Sequence, residues 1–146
     1  MNNNREKNTE LSSLKDVTSF AHDIIKEYSD KKLICLYGEL GSGKTAICKE
    51  IIKVLTGVDS VTSPTFNIVQ IYEGNGQIVN HYDLYRLKSI EEIFEIGLLE
   101  NQEEAYCLIE WPEIAEKFLP KDRLNIKIVQ TKHNIRKVKS FISLLL

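Results

Sequence analysis

The sequence predicts a single α/β domain with a mostly parallel central sheet, an antiparallel hairpin portion and flanking helices. Three observations predict it. Two short, nearly all-apolar runs, "KKLICLY" (31–37) and "AYCLIE" (105–110), have the unbroken hydrophobicity of strands buried on both faces. Segments with apolar residues at helical spacing alternate with such runs, as in a sheet covered by helices. Between two further strand-like stretches, "EGNG" (73–76) reads as a tight hairpin turn. At 146 residues, 42% apolar and 27% charged, the chain has material for one core rather than two.

Taken in order, residues 1–10 are polar and read as a flexible tail ahead of a domain spanning 11–146. From Leu14 to Tyr28, the positions Leu14, Val17, Phe20, Ala21, Ile24, Ile25 and Tyr28 make one helical stripe. The strand "KKLICLY" runs straight into "GELGSGKT" and then into "AICKEIIKVL", whose spacing is helical and which Gly57 terminates. "VTSPTFNIVQIY" (61–72) reads as a loop and a strand, and "QIVNHYDLYRL" (77–87) as the strand leaving the hairpin turn. Ser89 is the expected N-cap of "SIEEIFEIGLL", with Glu91 and Glu92 in the first turn, where the helix dipole favours acids. After "AYCLIE", the segment "PEIAEKFL" is expected as a short helix, and "RLNIKIVQ" with "RKVKSFISLLL" as an antiparallel pair.

Composition excludes several classes. A net charge of -2 argues against a domain that grips nucleic acid by bulk electrostatics, so any relation to RNA is expected to run through a partner. No run approaches the roughly 18 apolar residues of a membrane span. The start "MNNNREKNTE" lacks the apolar core of a signal peptide, and a cytoplasmic location is expected. Cys35, Cys48 and Cys107 are widely spaced in apolar stretches, as suits free buried thiols.

The strongest chemical signal is Gly38-Glu39-Leu40-Gly41-Ser42-Gly43-Lys44-Thr45, a G-x-x-x-x-G-K-[ST] phosphate loop between a strand and a helix. The glycines let the backbone curl so that successive N–H groups face phosphate oxygens, and the helix that begins there adds its positive end. In this mechanism Lys44 reaches the terminal phosphates, the Thr45 hydroxyl binds Mg²⁺, and Ala46 lies in the same turn. The fold expectation sharpens accordingly to a P-loop NTPase-like domain with a nucleotide and Mg²⁺ as ligands.

Such a site needs an acid at the end of a neighbouring strand to hold the metal. Asp83 and Glu110 are the acids that follow apolar runs, and "LIE" fits the slot, making Glu110 the expected metal ligand beside Thr45. Trp111, the only tryptophan, either plugs the core or lies against the nucleotide. In "NHYDLYRLKS", Asp83 can orient an attacking water and Arg86 can offset developing charge; equally, an Asp83–Arg86 pair can simply fix the turn. "TSPTF" offers Ser63 and Thr65 as a switch loop sensitive to the terminal phosphate, although an ordinary turn reads alike.

The ordered set "GELGSGKT", "SPTF", "HYDLYRL", "EEIFEIGL" and "LIEWPE" closely resembles the TsaE (YjeE) family of small bacterial ATPases of tRNA threonylcarbamoyladenosine synthesis, over roughly residues 13–130. The resemblance implies an α/β ATPase in which Lys44 and Thr45 serve ATP and Mg²⁺ and Glu110 is the metal ligand. It further implies that Asp83 is the acid near the site of hydrolysis and that Trp111 lies near the nucleotide. It implies action on a TsaB–TsaD complex, with tRNA met only through those partners. Ala46 departs from the second threonine often seen after G-K-T in this family.

Two other readings stand beside it. A small metabolite or nucleoside kinase would use the same loop but needs an arginine-bearing lid. Of Arg5, Arg86, Arg123 and Arg136, none sits in a lid-like insertion. A nucleotide-dependent binding switch with little turnover would share every motif.

Overall fold

The computed structural model describes residues 5–61, 68–95, 97 and 104–142. Among these residues seven strands form one sheet: β1 (Lys7–Leu11), β2 (Leu33–Tyr37), β3 (Val69–Gly74), β4 (Gln77–Asp83), β5 (Tyr106–Glu110), β6 (Leu124–Gln130) and β7 (Arg136–Ile142). Their order is β1-β7-β6-β2-β5-β4-β3. The four central strands β6, β2, β5 and β4 are parallel, while β7, β1 and β3 join antiparallel at the edges. The mostly parallel centre and the antiparallel hairpin are therefore as expected.

Sequence explains the layering. β2 is apolar throughout, and alternate residues serve opposite faces. Ile34 and Leu36 pack with α1 (Leu14–Glu27) and α2 (Lys44–Thr56) in one buried cluster. Leu33 and Cys35 pack on the other face with Leu84, Leu87, Ile93, Ala115 and Leu119. The expected stripe of α1 is buried except for Ile25, which is half-buried, and Leu14, which stands 70% exposed in the first turn. The Ser13 side chain caps that helix, and the Asp16 carboxylate accepts from the Ser12 N–H at 2.8 Å. Gly57 ends α2 in the left-handed conformation.

The hairpin turns on Asn75 (φ 52) and Gly76 (φ 74), the two positive-φ positions that a two-residue turn of this hand requires. Gly74 lies so close to the end of α2 that a Cβ would stand 2.1 Å from the Thr56 carbonyl oxygen. The edge of the hairpin is thereby seated on the helix.

Three expectations change. Residues 7–10, read as part of a flexible tail, form β1 together with Leu11, in register from Lys7 opposite Ser140 to Leu11 opposite Arg136. The strand is hard to see in sequence because Leu11 is its sole apolar residue; the outer edge of β7 supplies the pairing instead. The helix expected from Ser89 begins at Glu91 and is described as α3 (Glu91–Glu95). Glu92 accepts from the backbone N–H groups of Lys88 and Ser89 at 2.8 and 3.3 Å, the latter being the glutamate half of a capping box with Ser89 at the N-cap. "PEIAEKF" (Pro112–Phe118) is a 3₁₀ rather than an α-helix, entered through a left-handed Trp111 and a proline. Among the described residues, no helix is long and apolar enough to cross a membrane.

Candidate functional site

Parallel pairing brings the carboxyl ends of β2, β5 and β4 to one edge of the sheet, where ligands of open α/β folds sit. The glycine loop leaves β2 there and opens α2. Gly41 and Gly43 hold φ of 78° and 110°, values that L side chains rarely adopt. At Gly43 the Arg136 side chain lies against the loop, 3.1 Å from where a Cβ would stand.

Lys44 is the first residue of α2. Its Nζ donates to the carbonyl oxygens of Gly38 at 2.6 Å and Glu39 at 2.9 Å. The same ammonium lies 4.2 Å from the centroid of the Trp111 ring, a cation–π distance. Burial pulls its pKa below the ordinary value, opposed by the charges of Glu110, Glu113, Asp83 and Glu39.

Glu110 closes β5 and is 2% exposed. Its two oxygens have separate partners: the Thr45 hydroxyl donates to Oε1 at 2.8 Å, and Oε2 lies 2.6 Å from His81 Nε2. Beside it in register is Asp83, whose Oδ1 accepts from the Tyr85 N–H at 3.0 Å. That bond fixes the turn after β4, and Arg86 is exposed beyond it. Desolvation holds the Asp83 carboxyl above its ordinary range, moderated by the Tyr85 N–H, with Glu110 adding to the rise. Trp111 takes φ 57 and lies 4.8 Å, centroid to centroid, from the Tyr85 ring.

These groups share a cavity of about 300 Å³ walled by Leu40, Gly41, Gly43, Lys44, Thr45, Ala46, Asp83, Glu110 and Trp111. A second cavity, about 460 Å³, adjoins it through Leu40 and Trp111 and is lined by Gly38, Glu39, Ser42, Tyr37, Lys127 and Gln130 among others. A larger one of about 560 Å³ lies on the outer face of β1, β7 and β6 between Lys127, Lys137 and Lys139. It lacks the convergence of loop, ammonium and carboxylates that distinguishes the first.

The sequence-selected residues Lys44, Thr45, Asp83, Glu110 and Trp111 are thus brought to one cavity, with Gly38 to Ala46 forming its rim and the neighbouring wall. Arg86 does not line it. Ser63 and Thr65 lie outside the described residues. Sequence reasoning gave His81 and Cys48 no role, yet Cys48, His81 and Glu110 each bring a ligand-type atom within 4.8 Å of the others. The signal available was period two along β4: His81 and Asp83 face the same side, toward the acid at the end of β5.

Hard divalent cations take oxygen ligands, and the oxygens converging at the cavity belong to Thr45, Glu110 and Asp83. That donor set would suit a hard divalent cation such as magnesium.

Fold and site together define an α/β protein built on a strand, glycine loop and helix. A family model described as threonylcarbamoyl adenosine biosynthesis protein TsaE matches residues 11–138, and the chain belongs to that family, which serves tRNA threonylcarbamoyladenosine biosynthesis. It is 39% identical over 132 residues to the TsaE protein of Rickettsia typhi, covering 88% of this chain and 92% of that one. To the TsaE of Haemophilus influenzae it is 32% identical over 121 residues, covering 82% and 77%. The crystal structure of Bacillus subtilis YdiB shares the fold, with TM-score 0.70 at 22% identity over 98% of this chain and 89% of that one.

Proposed function

We propose that this protein is a magnesium-dependent ATPase that acts with a TsaB–TsaD complex in threonylcarbamoylation of adenosine 37 of tRNAs reading codons that begin with A. ATP binding and hydrolysis would reset or regulate the complex, and tRNA would be met only through those partners, in the cytoplasm. The observation that carries this reading is the Thr45 Oγ1–Glu110 Oε1 contact of 2.8 Å at the wall of the cavity that Lys44 also lines.

The roles follow from the chemistry of each group. Loop N–H groups and the start of α2 receive the phosphates, and Lys44 exchanges its two carbonyl acceptors for phosphate oxygens, which bind an ammonium more strongly. Thr45 and Glu110 would hold magnesium, which supplies positive charge to the terminal phosphates. Asp83 orients the attacking water; a carboxyl held above its ordinary pKa is also a better proton acceptor once ionised. Trp111 walls the site beside Lys44 and limits water there.

Phosphate release from ATP and Mg²⁺, measured for the protein alone and with TsaB–TsaD, tests the proposal. Stimulation by the pair that disappears in Lys44→Ala is the expected result. A pair that neither binds nor stimulates removes the partner assignment. A phosphorylated small acceptor in place of free phosphate would make the protein a kinase, and tight binding without turnover would make it a switch.

A further inference from the structure

We infer that His81 is the positioning residue for the Glu110 carboxylate: its imidazole holds Oε2 so that Oε1 is left facing Thr45 and the nucleotide cavity. The inference rests on the ATP and magnesium reading of the site and adds to it a residue that does not itself line that cavity.

Division of labour between the two carboxylate oxygens is the first support. Oε2 lies 2.6 Å from His81 Nε2 and Oε1 2.8 Å from Thr45 Oγ1, so a different element fixes each oxygen, β4 in one case and α2 in the other. The terminal torsion of a glutamate is broad and roughly two-fold, and a carboxylate held at one oxygen only would be free to turn. A metal ligand that turns must be re-ordered each time the metal binds; one held by a partner on its far side need not be.

Burial is the second. The side chains of His81 and Glu110 are 0% and 3% exposed. The contact is therefore shut away from solvent, and in the Nε2–H tautomer that the inference assigns to His81 the ring donates to an oxygen that accepts. An imidazole N–H orients the acid and leaves its negative charge available for a cation. A lysine or arginine at the same place would offset that charge.

The other ring nitrogen is the third. Among the described residues, His81 Nδ1 is buried and has no hydrogen-bond partner. A histidine serving only to knit the core would have both nitrogens satisfied, since leaving a buried polar atom unpaired is costly. Among the described residues this ring makes one bond, and the bond is to the acid. Its backbone is held on both sides, opposite Leu108 of β5 and Gln70 of β3, so the ring is carried on a rigid strand. Cys48, the third member of the buried trio, is fully enclosed on α2, and its thiol proton can face the same carboxylate.

Two amide substitutions test the inference because they differ in reach alone. His81→Gln carries an amide N–H toward the position of Nε2, whereas His81→Asn stops near Nδ1. The readouts are the Mg²⁺ concentration that gives half of the Trp111 fluorescence response to ATP, ATP binding without metal, and thermal unfolding. In His81→Asn the Mg²⁺ midpoint is expected to rise about 10- to 100-fold while metal-free ATP binding stays within about twofold, and His81→Gln is expected within about threefold of wild type. Equal shifts in both variants, following a common loss of thermal stability, overturn the inference, as does no shift in either. A ring ¹⁵N spectrum of the wild-type protein without nucleotide or metal decides the bond independently: an Nε2–H tautomer whose signal moves in Glu110→Gln supports it, and an Nδ1–H tautomer overturns it. A wild-type protein that never responds to ATP and Mg²⁺ defeats the metal part of the inference together with the reading beneath it, and the spectrum still decides whether His81 holds the acid.

Discussion

Lys44 Nζ is held between two backbone carbonyls of its own loop and the face of Trp111, at 2.6, 2.9 and 4.2 Å respectively. The ammonium is therefore largely desolvated and lies at the wall of the cavity. On the proposed ATP-binding reading, phosphate would change its partners more than its position, with the indole ring of Trp111 alongside. Lys44→Ala is expected to lower phosphate release at least about 100-fold, in the range for loss of one charged transition-state contact, and to abolish the Trp111 fluorescence response. Near-normal activity in that variant would remove the loop from the chemistry.

Glu110→Ala removes the partner of the half-buried Thr45 hydroxyl and of the fully buried His81 Nε2 at once. It is expected to cost about 1–3 kcal/mol of stability in urea unfolding, the penalty for buried polar groups left unpaired. Nucleotide binding should weaken more with Mg²⁺ than without it, by titration of the Trp111 signal. Equal weakening in both conditions would argue against a metal ligand.

Asp83→Asn keeps an oxygen that can accept from the Tyr85 N–H, so fold and ATP binding should survive. Hydrolysis is expected to slow about 10²- to 10⁴-fold, the usual worth of a positioned base. The carboxyl is held above its ordinary 3.8 by burial, so the native state keeps a proton that the unfolded state releases. Wild type should therefore lose stability relative to Asp83→Asn as pH rises from 3.8 through the native value, as paired thermal melts would show.

Burial pushes the Cys35 thiol up to about 12 and that of Cys107 to about 11. Native protein should resist alkylation at neutral pH and react fully when unfolded. Because the native thiols hold protons that unfolded ones lose near 9, stability is intact below pH 9 and declines from there toward 11. Cys107→Ala should flatten that decline in urea melts.

Leu11 is 2% exposed and ends β1. Leu11→Ala is expected to cost about 2–5 kcal/mol, as for other buried leucines. Removal of residues 1–6 should cost far less than removal of residues 1–11, which also strips β7 of its edge partner. Equal unfolding midpoints for the two truncations would restore the view of residues 7–10 as a tail.

Legibility in the sequence followed the range of the interaction. β2, β5 and the loop between β2 and α2 were readable because burial on both faces and the phosphate-loop residues leave local patterns in "KKLICLY", "AYCLIE" and "GELGSGKT". Glu110 could be singled out because a strand end is a local feature. β1 was hidden because "KNTEL" buries little and owes its conformation to an edge more than 120 residues away. The tie of His81 to Glu110 depends on how two parallel strands align, and nothing near His81 records that register. The left-handed backbone of Trp111 is likewise imposed by the turn into the 3₁₀ segment, and the residue's identity would not suggest it.

β1 and β7 also determine how the molecule can be held. β7 runs antiparallel to β6, which is parallel to β2, so β7 finishes at the pole opposite the glycine loop; β1, antiparallel to β7, begins at that same pole. A tether attached ahead of Lys7 or behind Ile142 would anchor the protein by its far side and leave the cavity facing the solution. One fluorophore at each of these points would sit across a single strand pairing, close enough to report separation of β1 from the sheet without disturbing the glycine-loop cavity.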